Sequence, residues 1–133
     1  MLRITIAVLT ALFFTASAQA EIIAHPVGCP KRAFCGCGAS VEIFGKPVRE
    51  LFLARNWFRF PRAEPGPGMV AVRRGHVFVL RSHVQGQNWI VYDANSGRRK
   101  TRVHHRSIAG WTIVNPHASK LAQAEGTFHS PAF

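Results

Sequence analysis

The residues able to do covalent chemistry in this chain are three cysteines, at 29, 35 and 37, one strand-edge histidine, His76, and a short polar pair, Asp93 and Asn95. An odd number of cysteines leaves one thiol free or joined to another molecule, and a thiol that opens a helix has its thiolate favoured by the helix dipole. Cys37 directly precedes an apolar pattern of helical period and is the candidate nucleophile. Cys29 and Cys35 can close a short loop that leaves Cys37 free, whereas a bond between Cys35 and Cys37 would need a strained small ring. Spacing alone equally permits a bond between Cys29 and Cys37, so the pairing stays open. A thiol needs a base within hydrogen-bonding reach, and the base needs a third group to orient it. His76 with Asp93 or Asn95 supplies those types.

Other chemistries find less support. The spacing C-x5-C-x-C matches no common zinc-ligand pattern, and His104 and His105, being adjacent, point to opposite faces of any strand. No haem signature, Gly-rich phosphate loop, G-x-S-x-G elbow or H-E-x-x-H helix is present. No metal and no cofactor are therefore expected. The stretch Arg55-Asn56-Trp57-Phe58-Arg59-Phe60-Pro61-Arg62 interleaves cations with aromatics, a pattern that suits base stacking but more often belongs to a packed loop.

The elements that must position these residues change period along the chain. Val41 and Phe44 stand at i and i+3 before Gly45, which predicts a short helix over 38–44 with Cys37 at its start. Pro47 opens a second helical pattern through Val48, Leu51, Phe52 and Arg55, and the prolines at 61, 65 and 67 make 59–68 a loop. From Met69 the period falls to about 2. Strands are predicted over 69–72, 76–81, 89–92, 101–104 and 111–114, with turns at 73–75, around Gly86 and at 93–97. His76, Phe78 and Leu80 then share one strand face, and if the second and third strands pair, His76 approaches Asp93 or Asn95. Helices first and antiparallel strands after them make an α+β chain.

The whole chain has 133 residues, 47% of them hydrophobic and 17% charged, which suits one packed domain and excludes a disordered or multispan membrane protein. Its first twenty residues have the form of an export signal. Arg3 supplies the positive region, Ile4 to Phe14 the apolar run, and Ala18-Gln19-Ala20 the small-residue cleavage site. Cleavage after Ala20 removes one of the 17 basic residues and leaves 16 against 6 acidic ones. The expected organisation is a signal peptide over 1–20, an irregular lead-in over 21–34, a domain over 35–116 and an unstructured tail over 117–133. An exported chain this basic is expected in the periplasm or outside the cell, meeting anionic envelope polymers or lipid headgroups rather than nucleic acid. The mature part carries no transmembrane segment by this reading, and the oligomeric state is left open.

Taken in order, Cys37 at a helix start, the strand Pro67-Gly68-Met69-Val70-Ala71-Val72, the strand Gly75-His76-Val77-Phe78-Val79-Leu80, then Tyr92-Asp93-Ala94-Asn95 and Ala109-Gly110-Trp111-Thr112-Ile113-Val114-Asn115-Pro116 resemble the CHAP family of cysteine, histidine-dependent amidohydrolases/peptidases. The resemblance covers roughly residues 35 to 116 and is best from Pro67 to Asn95. It implies a papain-like α+β fold of the kind shared with the NlpC-type relatives, with N-terminal short helices packed on a small antiparallel sheet. It further implies Cys37 as nucleophile, His76 as general base, Asp93 and Asn95 as orienting groups, and cell-wall peptide or amide bonds in peptidoglycan as substrate. Cys37 is preferred to Cys35 because Val41 then falls at the +4 position that is apolar in the family's first helix. A catalytically inactive module that keeps the fold and binds envelope polymer through its arginines is the alternative.

Overall fold

The computed structural model describes residues 20–118. Apart from Ala20, the expected signal peptide lies outside the described residues, as does the expected tail from residue 119 onward. Six strands, β1 (Glu21–Ile23), β2 (Val70–Arg73), β3 (His76–Gln85), β4 (Asn88–Asp93), β5 (Thr101–Ser107) and β6 (Thr112–Val114), form one antiparallel sheet in the order β1-β5-β4-β3-β2-β6. Helix α1 (Cys35–Phe44) and two 3₁₀ turns, Arg49–Leu51 and Ala54–Arg59, lie between β1 and β2 in the chain.

The α+β class is as expected, but the helices do not open the domain. Glu21–Ile23, read as part of an irregular lead-in, is a strand that pairs with β5. Three residues are too few to show a period of two. Helix α1 starts at Cys35 rather than near Gly38, because the Cys-Gly-Cys-Gly run has poor helix propensity and is held helical by burial instead: Cys35 to Ser40 are all buried. The second helical pattern is two 3₁₀ turns. In such a turn residues three apart eclipse, and Ala54, Trp57 and, one step beyond the turn, Phe60 form the buried ridge. The Trp57 indole donates to the Leu51 carbonyl oxygen at 2.9 Å, tying the two turns together.

The sheet buries apolar residues on both faces, which is why β2 reads as a continuous apolar run. On one face Val70, Val72, Val77, Val79 and Tyr92 pack with residues of α1 and the 3₁₀ turns. On the other, Ala71, Phe78, Leu80, Trp89 and Val91 pack with Ile108 and Ile113. Strand β3 runs four residues past the predicted end at Arg81, because its pairing with β4 continues to Gln85 opposite Asn88 although residues 81–85 are exposed. Among the described residues no helix is long and apolar enough to cross a membrane.

Candidate active site

His76 is the first residue of β3 and Asp93 the last of β4, so antiparallel pairing brings both to one end of the sheet. Val79 faces Tyr92, which sets Asp93 beside Phe78 and His76 one pleat farther along the same face. From there His76 Nε2 donates to Asp93 Oδ1 at 2.6 Å. With Nε2 committed to the carboxylate, Nδ1 is the ring nitrogen left for a nucleophile.

The free thiol near this ring is Cys35, not Cys37. Cys37 is joined to Cys29 by a disulfide with Cα atoms 5.7 Å apart, and Cys35 is the free cysteine among the described residues. Successive helical residues turn by about 100°, so side chains two apart point in nearly opposite directions and only one of the two can face His76. Cys35, at the first residue of α1, interacts with His76, while Cys37 faces the lead-in. Burial disfavours the charged imidazole, but the hydrogen bond to Asp93, the interaction with Cys35 and the charges of both together raise the His76 pKa to about 9.

Two glycines set this approach. A Cβ on Gly36 would collide with the backbone carbonyl oxygens of Leu51 and Phe52, and one on Gly38 would collide with the Ala94 side chain. The first turn of α1 is therefore wedged between the Leu51–Phe52 backbone and the residue that follows Asp93. The amide of Gly38 already donates to the Phe34 carbonyl oxygen at 2.8 Å. The amides of the turn's first residues, that of Cys35 included, have no intrahelical acceptor and sit at the positive end of the helix, where a developing oxyanion is stabilised.

Asp93 is fully buried and accepts from three side chains. Besides His76, His104 Nε2 donates to its Oδ2 at 2.8 Å and Arg106 Nη1 to the same oxygen at 2.5 Å. Burial acts to raise its pKa, but donation from His76, then from His104, and the charge of Arg106 outweigh burial and hold it at about 2. The carboxylate thus stays ionised, and its second oxygen is fixed from β5. Arg106 lies over the rings of Phe78 and Trp111 at 4.7 and 5.0 Å, and Trp111 presents its edge to His76 with ring centres 6.1 Å apart. This apolar wall strengthens the charged hydrogen bonds beside it.

Asn95 is not joined to His76. It lies in the turn after β4 with φ of 58°, a left-handed conformation that Asn tolerates, and among the described residues it makes no hydrogen bond with the histidine. Of the two residues, Asp93 is the one that hydrogen-bonds the ring. By sequence His104 is weighed only as a metal ligand beside His105, and Arg106 lies beyond the predicted end of its strand; carried on to Ser107, the alternation places 102, 104 and 106 on one face. For Cys35, the available signal was Ala39 at the +4 position, which is buried, whereas Val41 is half-buried.

The depression lined by Pro65, Pro67, His83, Gln87, Trp89 and Ile108 lies at the opposite end of β3 and β4 and contains none of these residues. The arrangement at the other end, a thiol at a helix start, an imidazole bonded to a buried carboxylate and free helix amides, has the parts required for acyl transfer. No family model, curated protein or solved structure matches the chain.

Proposed function

We propose that this protein is an exported thiol amidohydrolase or peptidase of the CHAP-like, papain-like type, with Cys35 as nucleophile, His76 as acid and base, and Asp93 as the positioning residue. The observation that carries the reading is the hydrogen bond of His76 to the buried Asp93 carboxylate, with the free Cys35 at the start of α1 as the imidazole's other electrostatic partner. His76, whose pKa is raised to about 9, is the group that exchanges a proton with the Cys35 sulfur. The thiolate adds to a peptide or amide carbonyl, the oxyanion meets the amides of the first helical turn, and the imidazolium gives its proton to the leaving amine. A water then attacks the thioester, losing its proton to the neutral imidazole as the Cys35 thiolate leaves. Asp93 keeps the ring in the tautomer and orientation both steps need.

Export is supported by the signal-like first twenty residues and by the Cys29–Cys37 disulfide, a bond that persists in oxidising compartments. Peptidoglycan is the substrate class by resemblance, and the excess of basic residues would hold the protein near an anionic envelope. Release of amines or peptides from purified peptidoglycan tests the reading. Cys35→Ala and His76→Ala should each abolish release, and Cys37→Ala should not remove the nucleophile. Full activity in Cys35→Ala would overturn the assignment.

One observation favours the alternative. Cys35 is buried, with 6% of its surface exposed, so a substrate reaches the thiol only if the wall around it gives way. A non-catalytic module would bind peptidoglycan through exposed arginines such as Arg98 and Arg99 in the β4–β5 turn, release nothing, and be indifferent to Cys35→Ala.

A further inference from the structure

The cation-and-aromatic stretch from Arg55 to Arg62 takes no part in the triad. Its 3₁₀ geometry sorts its side chains into ridges. Ala54, Trp57 and Phe60 turn inward and are buried, with Trp57 completely so. The remaining positions form an outward surface on which Phe58 is 40% exposed and Arg55 and Arg59 are exposed, while Leu53, just ahead of the turn, is 55% exposed. Two large apolar side chains thus stand in solvent beside buried neighbours of the same turn. The exposed charges that flank the segment in the chain are Lys46, Arg49 and Arg62 against Glu50 and Glu64, so the segment is cationic on balance.

Apolar tips framed by arginines are the features of a surface that seats at a bilayer interface: the apolar groups enter the headgroup boundary while the guanidinium groups meet lipid phosphates. A soluble polyanion would use the cations but would leave Leu53 and Phe58 in water. A single-stranded nucleic acid would need stacking platforms, yet Trp57 and Phe60 are buried and only Phe58 is offered. We infer that the Leu53–Arg59 surface is a peripheral docking site for an anionic phospholipid bilayer. It rests on this surface alone and holds whether or not Cys35 is a nucleophile.

The test is sedimentation of the mature chain with vesicles of phosphatidylcholine, with and without phosphatidylglycerol. Wild type should bind the mixed vesicles far better than the neutral ones and keep part of that binding at high salt. Leu53→Ser with Phe58→Ser, two exposed changes that leave the buried ridge intact, should weaken binding about tenfold and remove the salt-resistant part. Arg55→Gln with Arg59→Gln should weaken binding at low salt more than Arg98→Gln with Arg99→Gln, which removes equal charge elsewhere. Circular dichroism confirms that each variant is folded, and Leu53→Ser alone serves if the pair is not. Unchanged binding by the Leu53/Phe58 variant, or equal effects from both arginine pairs, would mean general adsorption of a basic protein and overturn the proposal.

Discussion

Cys35 and Cys37 stand two residues apart in the first turn of α1 and face different partners: Cys37 is tied to Cys29, and Cys35 interacts with His76. The disulfide fastens the lead-in to the same turn that carries the free thiol. One helical turn therefore holds both a bonded and a free sulfur, and the rotation of the helix between the two positions turns them toward different neighbours.

Alkylation read by mass spectrometry checks this division. Under denaturing, non-reducing conditions iodoacetamide should modify Cys35 alone, and digestion should yield a peptide pair joined through Cys29 and Cys37. In the native protein the reaction should be slower than in denaturant, since Cys35 is buried. Label on Cys37 before reduction would contradict the assignment.

Replacing Asp93 should damage stability as well as any activity. Its carboxylate is fully buried and satisfies His76, His104 and Arg106 together, so Asp93→Ala leaves three donors without their acceptor. Loss of one partner from a buried charged group costs about 3–5 kcal/mol, and a urea titration should show a shift of that order. Arg106→Ala should cost less, because the arginine is partly exposed and two donors remain on the carboxylate.

Much of this arrangement was legible before the fold was known, and the misses have local causes. The β3 face bearing His76, Phe78 and Leu80 follows from alternation, and the approach of His76 to Asp93 follows from pairing neighbouring strands. The helix start was misplaced because the two glycines beside Cys35 and Cys37 lower helix propensity while permitting close packing against Leu51, Phe52 and Ala94. Only tertiary contact reveals that use of a glycine. Arg106 was hidden for another reason: Asp93 is opposite Arg102 in the β4–β5 register, and Arg106 reaches it along the strand by side-chain length.

The glycines give a direct test of that packing. Gly38→Ala places a methyl group where Ala94 already sits, and Gly36→Ala places one against backbone oxygens that cannot rotate away. Both should lower stability by about 1–3 kcal/mol, the ordinary cost of overpacking, despite the better helix propensity of alanine. Gly45→Ala meets no such obstacle, but its φ of 75° strains any side chain, so it should cost only about 1 kcal/mol. Thermal or urea unfolding of the three variants distinguishes steric packing from propensity, because propensity alone predicts that the first two are stabilised.

The His76–Asp93 pair also fixes a pH dependence whose sign can be worked out. The His76 pKa rises on folding from 6.5 to about 9, so its stabilising contribution is complete below pH 6.5 and is lost as pH rises through about 9. The Asp93 pKa falls from 3.8 to about 2, so its contribution is complete above pH 3.8 and is lost as pH falls through about 2. The two windows overlap between about pH 4 and pH 6.5, where this pair contributes most to stability. Melting temperature measured against pH should show a plateau there and decline on both sides. His76→Gln should flatten the alkaline decline between pH 6.5 and about 9, because the group that loses its proton in that interval is gone. An alkaline limb of unchanged steepness in His76→Gln would place the titration on another group and remove the support this pair gives to a protonated His76 at neutral pH.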